Sequence, residues 1–225
     1  MRANSEMTLN LLEAVRDEAP DARVLVASSG EVYGTAAAPP VGEDAPLRPQ
    51  NPYAVSKAQA DLLAGFYADA RGLHVVRARS FNHAGPGQAD HFALSSCARQ
   101  AAAGASEIRT GSLHTRRDFT DVRDVVRAYL ELLDDGEPGA VYNVCSGRST
   151  STAELVALVA RAAGRELTPV PDPACIRPHE VIDLYGDPSC LHAATGWEPE
   201  IPLAQTAADT LAWWADVDSR EPAPE

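Results

Sequence analysis

Short apolar runs alternate with amphipathic helical segments along the chain, and this alternation constrains the fold more than any other feature. Residues 23–28 contain four consecutive apolar side chains, and residues 74–79 and 140–145 are two further candidate strands. Short runs rich in β-branched residues predict strands buried on both faces, as in a parallel sheet. Helical periodicity separates these strands, notably at residues 53–70. The order predicts an α/β fold, a doubly wound parallel sheet with right-handed crossovers.

Further elements follow from the same periodicities and from capping signals. Ser5 is a candidate N-cap for the first helix, and Asp121 is a candidate N-cap for a helix that ends near residue 133. The first helix is predicted at residues 5–18. Further helices are predicted at residues 91–103, 151–163, 188–195 and 203–217, and short strands at 106–110 and 166–170. The elements of the second half are shorter and mixed, which predicts a small substrate-covering domain. The polar residues 218–225 predict a disordered tail.

Charge and cysteine content exclude several classes of function. The net charge of −13 argues against a nucleic-acid partner, which would need a basic face. Four widely separated cysteines have no metal-ligand spacing, so no metal site is expected and a reduced, cytoplasmic protein is predicted. No apolar run approaches the roughly 18 residues of a membrane span, and the N-terminus has no hydrophobic signal region.

A tyrosine and a lysine lie four residues apart in the predicted helix after Pro52. At helical spacing, Tyr53 and Lys57 occupy one face. A neighbouring cation favours the phenolate, so Lys57 is expected to lower the pKa of Tyr53 and make it a usable acid at neutral pH. Of the 19 cationic side chains, Lys57 is the single lysine. The alternative is that both residues merely occupy the helix surface.

Polar loops follow the first two predicted strands directly. Ser-Ser-Gly-Glu-Val-Tyr-Gly occupies residues 28–34, and Ser-Phe-Asn-His-Ala-Gly-Pro-Gly occupies residues 80–87. Parallel sheets bind ligands at the carboxyl ends of their strands, so both loops are candidate ligand-binding segments. The alternative for each is a plain serine- and glycine-containing surface loop.

Four motifs together resemble one family, the extended short-chain dehydrogenases/reductases that act on nucleotide sugars. They are Ser-Ser-Gly-Glu-Val-Tyr-Gly (28–34), Pro-Tyr-Ala-Val-Ser-Lys (52–57), Phe-Asn-His-Ala-Gly-Pro-Gly-Gln (81–88) and Arg-Asp-Phe-Thr-Asp-Val-Arg-Asp (117–124). Residues 141–147, 177–181, 186–188 and 195–199 are similar to the branch that contains GDP-4-keto-6-deoxymannose reductases and GDP-mannose 4,6-dehydratases. The resemblance implies a partial Rossmann-like sheet with a smaller mixed α/β substrate-binding domain.

The resemblance also implies catalytic roles and an activity. Ser29 would hydrogen-bond the sugar oxygen, Tyr53 would exchange its proton, and Lys57 would hold the nicotinamide ribose. Glu31 matches the position of the glutamate that removes the C5 proton in dehydratases, although reductases of this branch carry an acid there too. The implied activity is NAD(P)H-dependent reduction of the C4 keto group of a GDP-6-deoxy-4-keto-hexose. The alternatives are GDP-mannose 4,6-dehydratase activity and a non-catalytic GDP-sugar-binding or dimerising protein.

Ligand contacts are implied by the same alignment of motifs. The cofactor would be NAD or NADP, with contacts from Ser28, Tyr53, Lys57, Ser80 and His83. The GDP-sugar substrate would contact Asn82, Arg117, Arg177 and Glu180. Structural alternatives are that Asn82 braces its loop, that His83 packs within it and that Arg177 forms a surface ion pair. A homodimer through the 5–18 and 53–70 helices is also implied.

One element of the family is not found in the sequence. The glycine-rich turn G-x-x-G-x-x-G, which holds the cofactor pyrophosphate, occurs nowhere in the 225 residues. The resemblance implies that the first four strands of the sheet are absent. We therefore expect an exposed apolar edge at residues 23–28 as an association site, and weak or no activity.

The implied domain boundaries follow from these matches. Residues 1–105 and 118–145 would form the C-terminal part of the dinucleotide-binding Rossmann domain. Residues 106–117 and 146–217 would form the nucleotide-sugar-binding subdomain.

Overall fold

The computed structural model describes residues 2–35, 38–175 and 181–220. Its strands are β1 (Val24–Ala27), β2 (Val75–Ser80), β3 (Asn82–Ala84), β4 (Glu107–Thr110), β5 (Arg116–Asp121), β6 (Val141–Val144), β7 (Ser149–Ser151), β8 (Thr168–Pro171) and β9 (Asp183–Leu184). Its α-helices are α1 (Arg2–Glu18), α2 (Pro52–Arg71), α3 (Ala93–Ala102), α4 (Val122–Asp135), α5 (Thr152–Ala163), α6 (Ser189–Thr195) and α7 (Leu203–Arg220).

A parallel sheet with helices on both faces forms the first half of the fold. Its strand order is β1-β2-β6, with Val24 opposite Val75 and Arg77 opposite Val141. Helices α1 and α2 bury one face around Leu12 and Tyr67. Helices α4 and α6 cover the other face in a separate apolar cluster. The predicted α/β class with a doubly wound parallel sheet is confirmed.

The second half contains two smaller sheets. Strand β5 pairs with β3 in parallel, with β7 antiparallel and with β9 in parallel. Strands β4 and β8 form a parallel pair, and helices α3, α5 and α7 bury the core beside it. Strand β3 begins two residues after β2 ends, so the chain passes directly from the large sheet to the small one. This junction lies beside the cleft described below.

Capping residues fix where the helices begin. Asn51 caps α2 by accepting from the Ala54 amide at 2.8 Å, and Pro52 supplies the favoured first helical residue. Asp121 caps α4, as predicted, by accepting from the Arg123 amide at 2.9 Å. Helix α5 begins with a reciprocal capping box between Ser151 and Glu154.

Three expectations from the sequence need correction. Helix α1 begins at Arg2, so Ser5 lies inside it and donates to Gln59 Oε1 at 2.8 Å instead of capping it. Residues 116–121 form strand β5, whereas no strand was predicted before the Asp121 helix cap. Helix α7 continues to Arg220, so residues 218–220 are helical, and residues 221–225 lie outside the described residues.

Strand β1 lies at an end of the described β1-β2-β6 order. Val24 and Val26 are buried, whereas Leu25 is partly buried and Ala27 is exposed, so burial on both faces is incomplete. The association expected at this edge stays a prediction.

A buried ion pair joins helix α2 to the sheet. Asp61 is fully buried and accepts from Arg79 Nε at 2.8 Å and from Arg79 Nη2 at 2.9 Å. The Tyr33 hydroxyl accepts a third bond from Arg79 at 3.0 Å. Burial alone would raise the pKa of Asp61, but the hydrogen bonds and charge of Arg79 bring it below the ordinary value. The pair fixes α2 over the sheet and thereby positions the residues one and two turns earlier.

A second buried carboxylate joins the large sheet to the small one. Asp118 on β5 is fully buried and accepts from the Ser146 amide at 2.8 Å, the Ser146 hydroxyl at 2.7 Å and the Gly147 amide at 2.9 Å. Ser146 and Gly147 lie two and three residues after the end of β6. Burial raises the pKa of Asp118, and these hydrogen bonds oppose the rise.

Among the described residues, no helix combines the length and the apolar character that a membrane span requires.

Candidate active site

A cleft of about 1250 Å³ opens where the carboxyl ends of β1 and β2 meet the small sheet. It is lined by the predicted site residues Ser28, Ser29, Glu31, Tyr53, Lys57, Ser80, Asn82, His83 and Arg117. The two polar loops and the start of helix α2 therefore line one cleft. The catalytic and binding roles of these residues stay predictions.

Ser29 stands at the turn between β1 and the 3-10 helix Gly30–Tyr33. Its hydroxyl caps this short helix by accepting from the Glu31 amide at 3.2 Å. Interaction with the same hydroxyl lowers the pKa of the Tyr53 phenol. Ser29 is buried, so little solvent competes for these contacts. Two hydroxyls from different elements thus face the cleft as a pair.

Tyr53 and Lys57 lie one turn apart at the start of α2, and Tyr53 is 49% exposed to the cleft. Burial raises the pKa of Tyr53, the bond with Ser29 lowers it, and the charge of Glu31 raises it, leaving the pKa above its ordinary value. The expectation that Lys57 lowers this pKa is wrong for this structure. The Lys57 ammonium lies over the tyrosine ring, 6.0 Å from its centre, and donates to the Ala27 carbonyl oxygen at 3.0 Å. Burial lowers the pKa of Lys57 itself.

Glu31 is held in the wall of the cleft by a residue that the sequence analysis did not single out. The Asn51 carboxamide donates from Nδ2 to Glu31 Oε2 at 2.8 Å. Its Oδ1 simultaneously accepts from the Ala54 amide at the start of α2. One side chain therefore joins the Glu31 turn to the helix that carries Tyr53.

A second phenol lies in the cleft beside Ser80. The hydroxyls of Ser80 and Tyr129 are 2.6 Å apart, and Ser80 is buried at the end of β2. Burial raises the pKa of Tyr129, the bond with Ser80 lowers it, and interaction with Tyr53 raises it further. Tyr129 reaches the cleft from α4, on the face of the sheet opposite α2. Ser28 is buried directly after β1 and contributes to the low pKa of Asp61.

The predicted substrate contacts Asn82 and Arg117 line the cleft, as does the predicted cofactor contact His83. Asn82 and His83 are exposed on β3, and the His83 ring nitrogen Nδ1 lies 3.4 Å from the Phe81 carbonyl oxygen. Arg117 on β5 donates from Nη1 to the carbonyl oxygens of Arg116 and Val181, both at 2.7 Å. Arg177 and Glu180 lie outside the described residues.

The charge of the cleft differs from that of the whole chain. Its described lining includes Lys57, Arg109 and Arg117, whose three positive charges face one carboxylate, Glu31. The chain as a whole carries a net charge of −13. A local positive field inside an acidic protein favours an anionic ligand in the cleft.

Two cleft residues, Asn51 and Tyr129, were not predicted from the sequence, and only one of them has a local sequence signal. Asn51 stands immediately before a proline at a helix start, a capping signal that could have been found in the sequence. Tyr129 lies eight residues after Asp121 and has no local sequence signal. Only the packing of α4 against β2 brings its hydroxyl to Ser80.

A doubly wound parallel sheet with a smaller mixed domain beside its strand ends is the architecture of the extended short-chain dehydrogenases/reductases. The structure of RMD from Pseudomonas aeruginosa, solved in complex with NADPH, superimposes with a TM-score of 0.86 at 43% identity, covering 93% of this chain and 72% of that one. The sequence profile of the GDP-mannose 4,6-dehydratase family matches residues 1–210. The chain belongs to this family.

Two curated relatives of known activity resemble the chain along most of its length. The GDP-6-deoxy-D-mannose reductase of Pseudomonas aeruginosa is 44% identical over 214 residues, which cover 92% of this chain and 70% of the reductase. The GDP-mannose 4,6-dehydratase of Vibrio cholerae is 30% identical over 240 residues, which cover 91% of this chain and 64% of the dehydratase. This chain thus spans roughly two thirds of the length of each relative.

Proposed function

We propose that this chain carries the catalytic and sugar-binding residues for NAD(P)H-dependent reduction of the C4 keto group of a GDP-6-deoxy-4-keto-hexose. The observation that carries the proposal is the convergence of Ser29, Tyr53 and Lys57 in one cleft. The 44% identity to a GDP-6-deoxy-D-mannose reductase favours reduction over the other reactions of the family.

The proposed chemistry of the chain is proton transfer and orientation. Tyr53 keeps its proton at neutral pH because its pKa is raised, so it can donate that proton to the C4 oxygen as the carbonyl is reduced. Ser29, which lines the same cleft, would hold the same oxygen by a second hydrogen bond. Together the two hydroxyls would stabilise the negative charge that develops on the oxygen.

The described residues fit the nicotinamide end of the cofactor. The half-buried Lys57 ammonium lies within the cleft at the end of β1, where it could donate to ribose hydroxyls. Ser80, Tyr129 and His83 offer further polar groups around the same space. When bound, the cofactor supplies the hydride that the C4 carbon accepts. The glycine-rich turn typical of pyrophosphate binding has no counterpart in the sequence.

The arginines of the cleft suit the diphosphate of a nucleotide sugar. Arg109 on β4, Arg117 on β5 and Asn82 on β3 all line the cleft. Guanidinium groups suit paired phosphate oxygens because their donors form a planar fork. Arg177 and Glu180 remain proposed contacts of the same ligand.

GDP-mannose 4,6-dehydratase activity is the second candidate, and Glu31 is the observation that favours it. This carboxylate lies two residues after Ser29, lines the cleft and is held in place by Asn51. A fixed carboxylate beside an acid–base tyrosine suits removal of the sugar C5 proton.

Association through helices α1 and α2 is also proposed. The two helices pack together and leave Met7, Leu11, Leu62 and Phe66 at least half exposed. An exposed apolar face of this kind marks a protein interface, and a second copy of the chain is the expected partner.

The deciding experiment follows NADPH or NADH oxidation with GDP-4-keto-6-deoxymannose, and in parallel the conversion of GDP-mannose with NAD or NADP. Reduction that is lost in Tyr53→Phe supports the reductase. Formation of the 4-keto product from GDP-mannose, lost in Glu31→Gln, supports the dehydratase. A thermal shift with GDP-mannose but no turnover of either substrate would identify a non-catalytic binding protein and overturn both.

A further inference from the structure

Asn51 uses both ends of its carboxamide on groups that belong to the site. Its Oδ1 accepts from the Ala54 amide at 2.8 Å and so fixes the start of α2 two residues before Tyr53. Its Nδ2 donates to Glu31 Oε2 at 2.8 Å. An asparagine that served only as a cap would need the oxygen alone, because serine and aspartate cap as well as asparagine does. Helix capping therefore explains the contact of the oxygen but not the hydrogen bond from the amide nitrogen to Glu31.

The contacts around Asn51 connect two elements of the site. Asn51 holds the Glu31 side chain, and the Glu31 amide donates to Ser29 Oγ at 3.2 Å. Asn51 also caps the first turn of α2, the helix that carries Tyr53. It therefore ties the Glu31 carboxylate to both the turn that presents Ser29 and the helix that presents Tyr53.

We propose that Asn51 is a positioning residue whose amide nitrogen holds the Glu31 carboxylate against the Ser29–Tyr53 pair. This contact uses one oxygen of the carboxylate, and a carboxylate has about four acceptor sites, so capacity remains for a sugar hydroxyl. The inference rests on the proposed function for the meaning of Tyr53 as the acid. The contact itself is independent of which reaction the chain catalyses.

The charged and titratable groups that face Tyr53 come from three elements. Lys57 lies over the ring from α2, Glu31 faces it from the turn after β1, and Tyr129 approaches from α4. Of these, Glu31 is the group that Asn51 contacts. If Asn51 holds Glu31 in place, changing Asn51 must alter the field at Tyr53 through Glu31 and not through Lys57 or Tyr129.

Two substitutions preserve the helix cap while changing the amide nitrogen. Asn51→Ser keeps a capping oxygen and removes the donor to Glu31, so the carboxylate can turn toward solvent and the Tyr53 titration midpoint should fall. Asn51→Asp keeps the cap but places a second carboxylate beside Glu31, so the midpoint should rise. Opposite shifts in two variants with intact helix starts cannot come from a change in the cap.

The experiment measures the Tyr53 midpoint by NMR on the full chain with ¹³Cζ-labelled tyrosine, assigning the signal among six tyrosines with Tyr53→Phe. Asn51→Ser is compared in the native and Glu31→Gln backgrounds as a double-mutant cycle. The proposal expects a downward shift in the native background and none in Glu31→Gln. Equal shifts in both backgrounds, or no shift with Asn51→Ser and Asn51→Asp alike, would overturn it.

Thermal stability separates this proposal from a role of Asn51 in helix capping alone, and turnover assays separate it from the proposed function. Thermal unfolding should be similar for the native chain, Asn51→Ser and Asn51→Asp, and lower for Asn51→Ala, which loses the cap as well. The titration needs neither cofactor nor sugar, so the coupling can be found in a chain that turns over no substrate. A failure of the proposed function would appear in the turnover assays alone.

Discussion

The Lys57 ammonium lies 6.0 Å from the centre of the Tyr53 ring and is bonded to the Ala27 carbonyl oxygen at the end of β1. The lysine thus joins the helix that carries the proposed acid to the strand that leads to Ser29. Lys57 also lines the cleft. This arrangement suits a residue that holds a ligand hydroxyl more than one that tunes the tyrosine alone.

Lys57→Met should abolish measurable reduction, with a loss of at least ~100-fold, the lower end of what a positioned acid–base group contributes. Lys57→Arg should not restore it, because a planar fork cannot reproduce a compact ammonium bonded to Ala27. The measurement is steady-state NADPH oxidation with the keto sugar, alongside cofactor affinity by calorimetry. Full activity of Lys57→Arg would show that only positive charge is needed there.

The pH dependence of reduction should follow the proton on Tyr53. Because its pKa lies above the ordinary value of about 10, the phenol stays protonated throughout the neutral range and donates equally well there. The rate should therefore be level through neutral pH and fall as pH rises toward that pKa. The reverse oxidation, which needs the phenolate, should rise over the same window. A rate that falls between pH 6 and 8, in the range where roughly unperturbed histidines titrate, would contradict this assignment.

Asp61→Asn should destabilise the fold by about 3–5 kcal/mol, because it leaves the buried Arg79 guanidinium without its counter-charge. Urea unfolding at neutral pH measures the loss. Asp69→Asn, an exposed position on the same helix, is the control and should stay within about 0.5 kcal/mol.

The same pair has a defined pH signature. The pKa of Asp61 lies below its ordinary value of 3.8, so its contribution to stability is complete above that value and is lost as pH falls through the lowered pKa. The native chain should lose more stability on acidification below about pH 4 than Asp61→Asn does. Parallel loss in both chains would mean that other carboxylates dominate acid unfolding.

Leu62→Glu together with Phe66→Glu should abolish self-association if α1 and α2 form the interface. Both side chains are at least half exposed on α2, and a buried charge at an apolar interface is costly. Leu130→Glu on α4, similarly exposed but on the other face of the sheet, is the matched control and should associate as the native chain does. Light scattering over a range of concentrations measures both. A native chain that is monomeric throughout would remove the interface.

Much of the fold follows from sequence because local signals agree with tertiary packing. The β1, β2 and β6 segments are short and contain β-branched residues. Helices α2 and α4 each have a capping residue immediately before their apolar periodicity begins. Strand β5 escaped prediction because its sequence, Arg-Arg-Asp-Phe-Thr-Asp, is charged at four of its six positions. Its pairing is enforced by β3, β7 and β9, which are distant in the chain.

The site residues that directly follow strand ends could be predicted from the sequence. The pKa of Tyr53 and the position of Tyr129 could not, because they depend on local electrostatics and on helix packing. Residues at the ends of β1 and β2 converge because parallel strands share an edge. The direction of the Tyr53 pKa shift could not be inferred from spacing, because burial and Glu31 outweigh the contact with Ser29. Tyr129 enters the site only through the docking of α4.

Asp118 has a consequence for how the cleft can move. Its buried carboxyl group, on β5 of the small sheet, accepts hydrogen bonds from the Ser146 and Gly147 amides and from the Ser146 hydroxyl, in the segment that follows β6 of the large sheet. Separating the two sheets at this point would leave those polar groups without partners, which is costly for buried groups. We therefore expect the two sheets to stay together when a ligand enters, so that the width of the cleft changes through the side chains and loops that line it.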